Sequence, residues 1–131
     1  MFKGLDHLAI LVTDTEVALE LWHDRLGFPV VLSEVVNDGA IRLTHLDLGN
    51  THLQLVQPLR EDQPLWKWLR EKGEGLHHLC LAVDTVEGAA KEAADRGISA
   101  AESRPHQGTG GKQALFLDRS ATGNVQVELT G

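Results

Sequence analysis

The stretch Gly4-Leu5-Asp6-His7-Leu8-Ala9-Ile10-Leu11-Val12 returns without a gap as Gly75-Leu76-His77-His78-Leu79-Cys80-Leu81-Ala82-Val83. An internal repeat of this length requires that two similar supersecondary units share the chain. His7 falls on His78. Each copy runs into an acidic helix start, Asp14-Thr15-Glu16 and Asp84-Thr85-Val86-Glu87. Asp14 and Asp84 are the expected N-caps, because a short carboxylate accepts from the open N–H groups of a first turn. Val17, Ala18, Leu21, Trp22 and Leu26 make an apolar stripe at helical spacing in the first copy. Val86, Ala89, Ala90, Ala93 and Ala94 do so in the second. Gly27 and Gly97 end these helices in the left-handed conformation that glycine adopts without strain.

Three strands are expected after each helix, near 30–36, 41–48 and 51–57, then near 98–103, 112–118 and 124–130. Gly49-Asn50 and Gly123-Asn124 mark equivalent turns before the last strand of each half. Gln54 then falls on Glu128. Between the halves, Pro64 and Gly73 bracket a short helix anchored by Trp66, Trp68 and Leu69. The expected fold class is α+β: two βαβββ modules, 1–57 and 75–131, joined by a connector at 58–74 into one domain. The two modules are expected to form a curved mixed sheet with a metal-binding trough, and the connector helix to lie outside it.

Strand alternation places the polar groups. Leu8, Ile10 and Val12 oppose His7, Ala9 and Leu11. Leu53 and Leu55 oppose His52, Gln54 and Val56. Leu79, Leu81 and Val83 oppose His78, Cys80 and Ala82. Val125, Val127 and Leu129 oppose Gln126 and Glu128. The aliphatic faces should pack on helices. The other face carries His7, Gln54, His78 and Glu128, with small residues beside the histidines to leave room for a ligand. Two imidazoles, an amide oxygen and a carboxylate suit one divalent ion of Co, Zn, Ni, Mn or Fe. For either histidine alone, a half-buried side chain bonded to backbone is the simpler reading; the double pairing favours metal. His23, His45 and His106 have no repeat partner and are expected at the surface. The Arg104–Lys112 segment, with Gly108, Gly110 and Gly111, could contact a phosphate or carboxylate, but a glycine-rich turn before a strand is the commoner meaning.

With 131 residues the chain suits one compact unit, and its 42% apolar and 24% charged residues are those of an ordinary globular protein. A formal charge of −7 argues against nucleic acid and anionic membranes as partners. Cys80, the single cysteine, allows no intrachain disulfide. No apolar run reaches membrane-spanning length, and no signal-like segment opens the sequence, so a cytoplasmic location is expected.

Taken together, Leu5-Asp6-His7-Leu8-Ala9-Ile10, Leu48-Gly49-Asn50-Thr51-His52-Leu53-Gln54-Leu55, Gly73-Glu74-Gly75-Leu76-His77-His78 and Gly108-Thr109-Gly110-Gly111-Lys112 resemble the vicinal oxygen chelate superfamily of glyoxalases, bleomycin-resistance proteins and dioxygenases. Within it they are most similar to the methylmalonyl-CoA epimerase branch. The resemblance implies the same four ligands, an acyl-CoA substrate, a homodimer and epimerisation through a metal-stabilised enolate. Two departures stand out. Asp118-Arg119-Ser120 replaces a His-Pro-Lys-like run, and His45 stands where an apolar residue is usual. Epimerisation asks for proton removal on one face and delivery on the other. Glu128 is the expected catalytic residue, with Glu34, Asp38, Asp47 and His52 as candidates for the second group. Glyoxalase I (lactoylglutathione lyase) shares the ligand set and enediolate chemistry. A non-catalytic small-molecule binder has no need of four ligands.

Overall fold

The computed structural model describes residues 1–131. The elements are β1 (Phe2–Leu11), α1 (Thr15–Leu19) running into a π-helical turn (Glu20–Arg25), β2 (Val30–Val36), β3 (Ile41–Asp47), β4 (His52–Pro58), α2 (Pro64–Lys72), β5 (Gly75–Val83), α3 (Val86–Asp95), β6 (His106–Gln107), β7 (Gln113–Phe116) and β8 (Val127–Thr130). The strands form one mixed sheet in the order β2-β3-β4-β1-β5-β8-β7-β6. The α+β class and the βαβββ order expected of each half are observed. No helix is long and apolar enough to cross a membrane. Backbone contacts divide the chain into two compact units, Leu8–His77 and Met1–His7 with His78–Gly131.

In the Leu8–His77 unit, β2, β3 and β4 form an antiparallel meander. Gly49, at φ 92°, makes the β3–β4 turn, and its N–H donates to Asp47 Oδ1 at 2.7 Å. This turn sets the register that puts His45 opposite Gln54 and Asp47 opposite His52. Leu8, Ile10, Val12, Leu46, Leu53 and Leu55 pack on Ala18, Leu19, Trp22 and Phe28, so the aliphatic face meets the helix as expected. Ala18 and Trp22 of the expected stripe pack as expected, joined by Leu19 and Phe28, whereas Val17, Leu21 and Leu26 are exposed at 60%, 42% and 52%. The turn then widens, with Leu26 N–H bonding to Leu21 O, five residues back, which shifts the phase of the later side chains.

The connector helix has its proline start, and Gly73 ends it at φ 80°. Its position corrects the expectation. Leu65, Trp68 and Leu69 pack on Ala9, Leu11, Leu43 and Val56, on the faces of β1 and β4 that carry His7 and Gln54. The physical reason is the apolar i, i+3, i+4 stripe of this helix, which needs an apolar bed. Ala9 is fully buried there rather than open to a ligand.

In the other unit, β5 pairs in parallel with β8, and β7 pairs antiparallel with β8 and β6. Val83, Val86, Ala89, Ala93, Leu115, Leu117 and Leu129 form the core; alanines let α3 approach the sheet closely. Thr85, not Asp84, caps α3, its hydroxyl accepting from Gly88 N–H at 3.1 Å. Asp84 instead pairs with Lys3 at 3.0 Å. The strand expected near 98–103 is reduced to a single bridge, Ala100 to Leu117. There the Glu102 side chain, not a strand backbone, takes the Phe116 N–H at 2.8 Å, and Pro105 has no N–H to continue a ladder. The paired strand begins at His106.

Candidate metal and active site

His7, His78 and Glu128 converge within the Met1–His7/His78–Gly131 unit. β1, β5 and β8 supply one residue each, and the β5–β8 register sets Cys80 beside Glu128. One ligand atom from each of the three lies within 4.8 Å of the other two. Glu128 Oε1 is 3.2 Å from His78 Nε2 and 3.7 Å from His7 Nε2. Two donor atoms each about 2.1 Å from a common cation stand roughly 3.0–3.5 Å apart; the His78 pair lies in that range and the His7 pair just beyond it, so a shared ion needs only a small closure at His7. His7 and Glu128 are buried and His78 is half-buried.

The supports of these groups fix their chemistry. Asp6 Oδ2 lies 2.7 Å from His7 Nδ1. An ionised carboxylate only accepts, so it holds the ring proton on Nδ1 and leaves a lone pair on Nε2. Phe116 stacks on His106 at 5.6 Å and meets His78 edge-on at 5.1 Å. Burial alone would raise the Glu128 carboxyl. Hydrogen bonds and positive charge from His106 and His78 outweigh burial and hold it far below the usual carboxylate range. Glu128 is therefore an anion near neutrality. Burial, with help from the nearby carboxylates of Glu128 and Asp6, pushes the Cys80 thiol far above its ordinary value. That leaves Cys80 a neutral core residue rather than a thiolate ligand.

Gln54 is buried on β4, in the Leu8–His77 unit. Its Nε2 is 3.1 Å from His45 Nε2, and His45 Nδ1 is 3.2 Å from His52 Nδ1. An amide NH2 only donates, so His45 accepts at Nε2 and donates from Nδ1 to His52. This chain of neutral rings fixes which way the amide points and turns its oxygen away from His45.

Two histidines expected at the surface are elsewhere. His45 is 2% exposed. His106 Nε2 bonds Glu128 Oε2 at 3.0 Å, and its Nδ1 bonds both oxygens of Glu102 at 2.9 and 3.0 Å. Only His23 is exposed as expected. The first of these was available to sequence reasoning, because the Gly49 turn fixes His45 opposite Gln54. The second was not, since no strand was expected at His106. Of the candidates for a second proton carrier, Asp47 caps a turn and Asp38 is exposed in another at φ 54°. Glu34 sits half-buried on β2, and His52 joins the Gln54 network through His45. Gly110 and Gly111, at φ 65° and 78°, form the turn expected before β7.

A family model described as the Glyoxalase/Bleomycin resistance protein/Dioxygenase superfamily matches residues 6–116. Mitochondrial methylmalonyl-CoA epimerase of Mus musculus is 34% identical over 128 residues, covering 95% of this chain and 71% of its own length. An ethylmalonyl-CoA/methylmalonyl-CoA epimerase of Cereibacter sphaeroides is 32% identical over 133 residues, covering 98% of each. The structure of methylmalonyl-CoA epimerase from Mycobacterium tuberculosis matches with a TM-score of 0.90 and 30% identity, over 98% of this chain and 87% of that one. Streptomyces coelicolor methylmalonyl-CoA epimerase, in complex with 2-nitronate-propionyl-CoA, matches with a TM-score of 0.89 and 29% identity, over 99% and 97%.

Proposed function

The chain belongs to the glyoxalase/bleomycin resistance protein/dioxygenase superfamily, and we propose that within it this protein is a divalent-metal-dependent epimerase of methylmalonyl-CoA. His7, Gln54, His78 and Glu128 are the proposed ligands. The observation that carries the reading is the convergence of His7 Nε2 and His78 Nε2 on one oxygen of a buried, ionised Glu128. The donor set is two imidazoles, an amide and a carboxylate, open to Co, Zn, Ni, Mn or Fe.

A cation held by these residues supplies positive charge for the oxygen of a thioester carbonyl, which makes the adjacent α-hydrogen more acidic. The chain's own groups do the rest. Asp6 keeps His7 in the tautomer that presents Nε2. His45 keeps the amide of Gln54 turned so that its oxygen is presented. Glu128 is the proposed base. Proton removal from the α-carbon leaves an enolate, and a proton delivered to the opposite face completes the inversion with no net change of atoms. His52, joined to Gln54 through His45, is the proposed carrier of the second proton.

Two assays on one preparation test this: metal content, and exchange of the methylmalonyl-CoA α-proton in deuterated water. The glutathione–methylglyoxal hemithioacetal is run beside them. Rapid α-exchange lost on chelation and restored by Co²⁺ is expected. Turnover of the hemithioacetal without α-exchange overturns the substrate in favour of glyoxalase chemistry. We also propose a homodimer; a monomer in light scattering at micromolar concentration overturns that.

A further inference from the structure

Glu128 is the only one of the three converging residues with two equivalent ligand atoms, so something must decide which oxygen faces the histidines. Oε1 lies toward His78 and His7, at 3.2 and 3.7 Å. Oε2 lies 3.0 Å from His106 Nε2. His106 is itself held at its other nitrogen by Glu102, at 2.9 and 3.0 Å. Glu102 is fixed in turn by the Phe116 backbone N–H at 2.8 Å, and Phe116 stacks on the His106 ring. Every polar atom of this chain of side chains has a stated partner, and all of it lies in one unit.

We propose that His106, oriented by Glu102, is a positioning residue that occupies Glu128 Oε2 and so makes Glu128 a one-oxygen ligand. This rests on the ligand reading above. A carboxylate can meet a cation through one oxygen or two. Holding one oxygen in a charge-assisted hydrogen bond removes the two-oxygen mode. It also keeps a coordination position open for substrate oxygen. His106 touches neither substrate nor reacting atoms in this role; it acts through Glu128.

The test uses the whole chain stripped of metal and titrated with Co²⁺ against a competing chelator, with the visible spectrum recorded at saturation. Three variants separate a donor from a spacer. His106→Phe keeps a ring to stack on Phe116 but donates nothing. His106→Gln keeps an N–H donor. Glu102→Gln removes the charge that orients the imidazole. His106→Phe is expected to weaken Co²⁺ binding about 10–100-fold, the usual cost of losing such a support. Its Co²⁺ absorption should also fall in intensity, as for a higher coordination number. His106→Gln should restore most of both, and Glu102→Gln should lie between. A merely structural role would lower thermal stability without moving the spectrum.

His78→Ala separates the two levels of the argument. If it loses Co²⁺ while His106→Phe keeps the parent affinity and spectrum, the ligand reading stands and the positioning role is overturned. If His78→Ala binds Co²⁺ as the parent does, the ligand reading fails and takes the positioning role with it. Should His106→Phe not fold, Glu102→Gln decides, and parent affinity and spectrum there overturn the proposal.

Discussion

Gln54 and Glu128 hold the same place in two copies of one repeat, and each meets a histidine Nε2 at its second polar atom, at 3.1 and 3.0 Å. The two histidines are not related by the repeat. His45 comes from β3, directly across the hairpin; His106 comes from β6, two strands from Glu128. Their chemistry is opposite as well. The amide of Gln54 donates, so His45 accepts and passes its other proton to His52, and the chain stays neutral. The carboxylate of Glu128 accepts, so His106 donates at Nε2, and Glu102 accepts at Nδ1. Burial disfavours charge on His106, but Glu128 and Glu102 outweigh it and raise its pKa. The repeat therefore places Gln54 and Glu128 alike, and each half has found its own support, matched to whether the side chain donates or accepts.

The largest expected effect breaks the pair at its charged end. Glu128→Gln makes the two positions chemically alike. Turnover is expected to fall about 10²–10⁴-fold, the usual cost of a lost general base, while an amide oxygen can still ligate. Metal content and α-proton exchange on the same sample check this. Retained metal with parent exchange would show that Glu128 is a ligand only.

The next compares the two cores. Leu55 and Leu129 are both fully buried, one in each unit. Leu55→Ala and Leu129→Ala should each cost about 2–5 kcal/mol of stability, measured by urea unfolding. If a fluorescence transition and a far-UV transition separate in one variant only, the two units differ in cooperativity.

A smaller effect sharpens the neutral end. His45→Leu restores an apolar residue on β3 but strips the Gln54 amide of its acceptor. A loss of about 1–3 kcal/mol is expected, together with weaker Co²⁺ retention. Unchanged stability and retention would show that the amide is held by other neighbours. The smallest contrasts the two helix starts. Asp14→Ala and Thr85→Ala should each cost about 1 kcal/mol, whereas Asp84→Ala, which breaks an exposed ion pair, should cost less. Equal losses at Asp84 and Thr85 would show that both cap α3.

What was legible in the sequence follows the same division. Strand parity and the repeat pointed to His7, His78 and Glu128, which converge, and to Gln54, which is buried on β4, because side-chain alternation is a local rule that the rest of the fold does not override. The helix stripe held at Ala18 and Trp22 but not at Leu21 and Leu26, where a π-helical turn changes the periodicity without a residue type that announces it; Val17, ahead of that turn, is simply exposed. The N-cap moved from Asp84 to Thr85 because Lys3, distant in sequence, took the carboxylate. His106 was invisible for the same kind of reason. Its partners, Glu102 and Glu128, are brought to it by a two-residue strand and a side-chain bond, neither of which has a pattern of its own.

The division of the chain between the two units also has a consequence for the order in which the molecule can be made. Residues 8–77 form an uninterrupted unit, so a growing polypeptide holds all of its contacts by the time the connector helix has emerged. The other unit joins the first seven residues to the last fifty-four, and its central pairing, β5 with β8, waits for Val127–Thr130. His7 is synthesised early and Glu128 almost last. Parallel pairing between distant segments is slow because loop closure precedes any gain. The half that holds His7, His78 and Glu128 is thus the late-maturing half, and until translation reaches β8 its β5 strand lacks one of its two neighbours in the sheet.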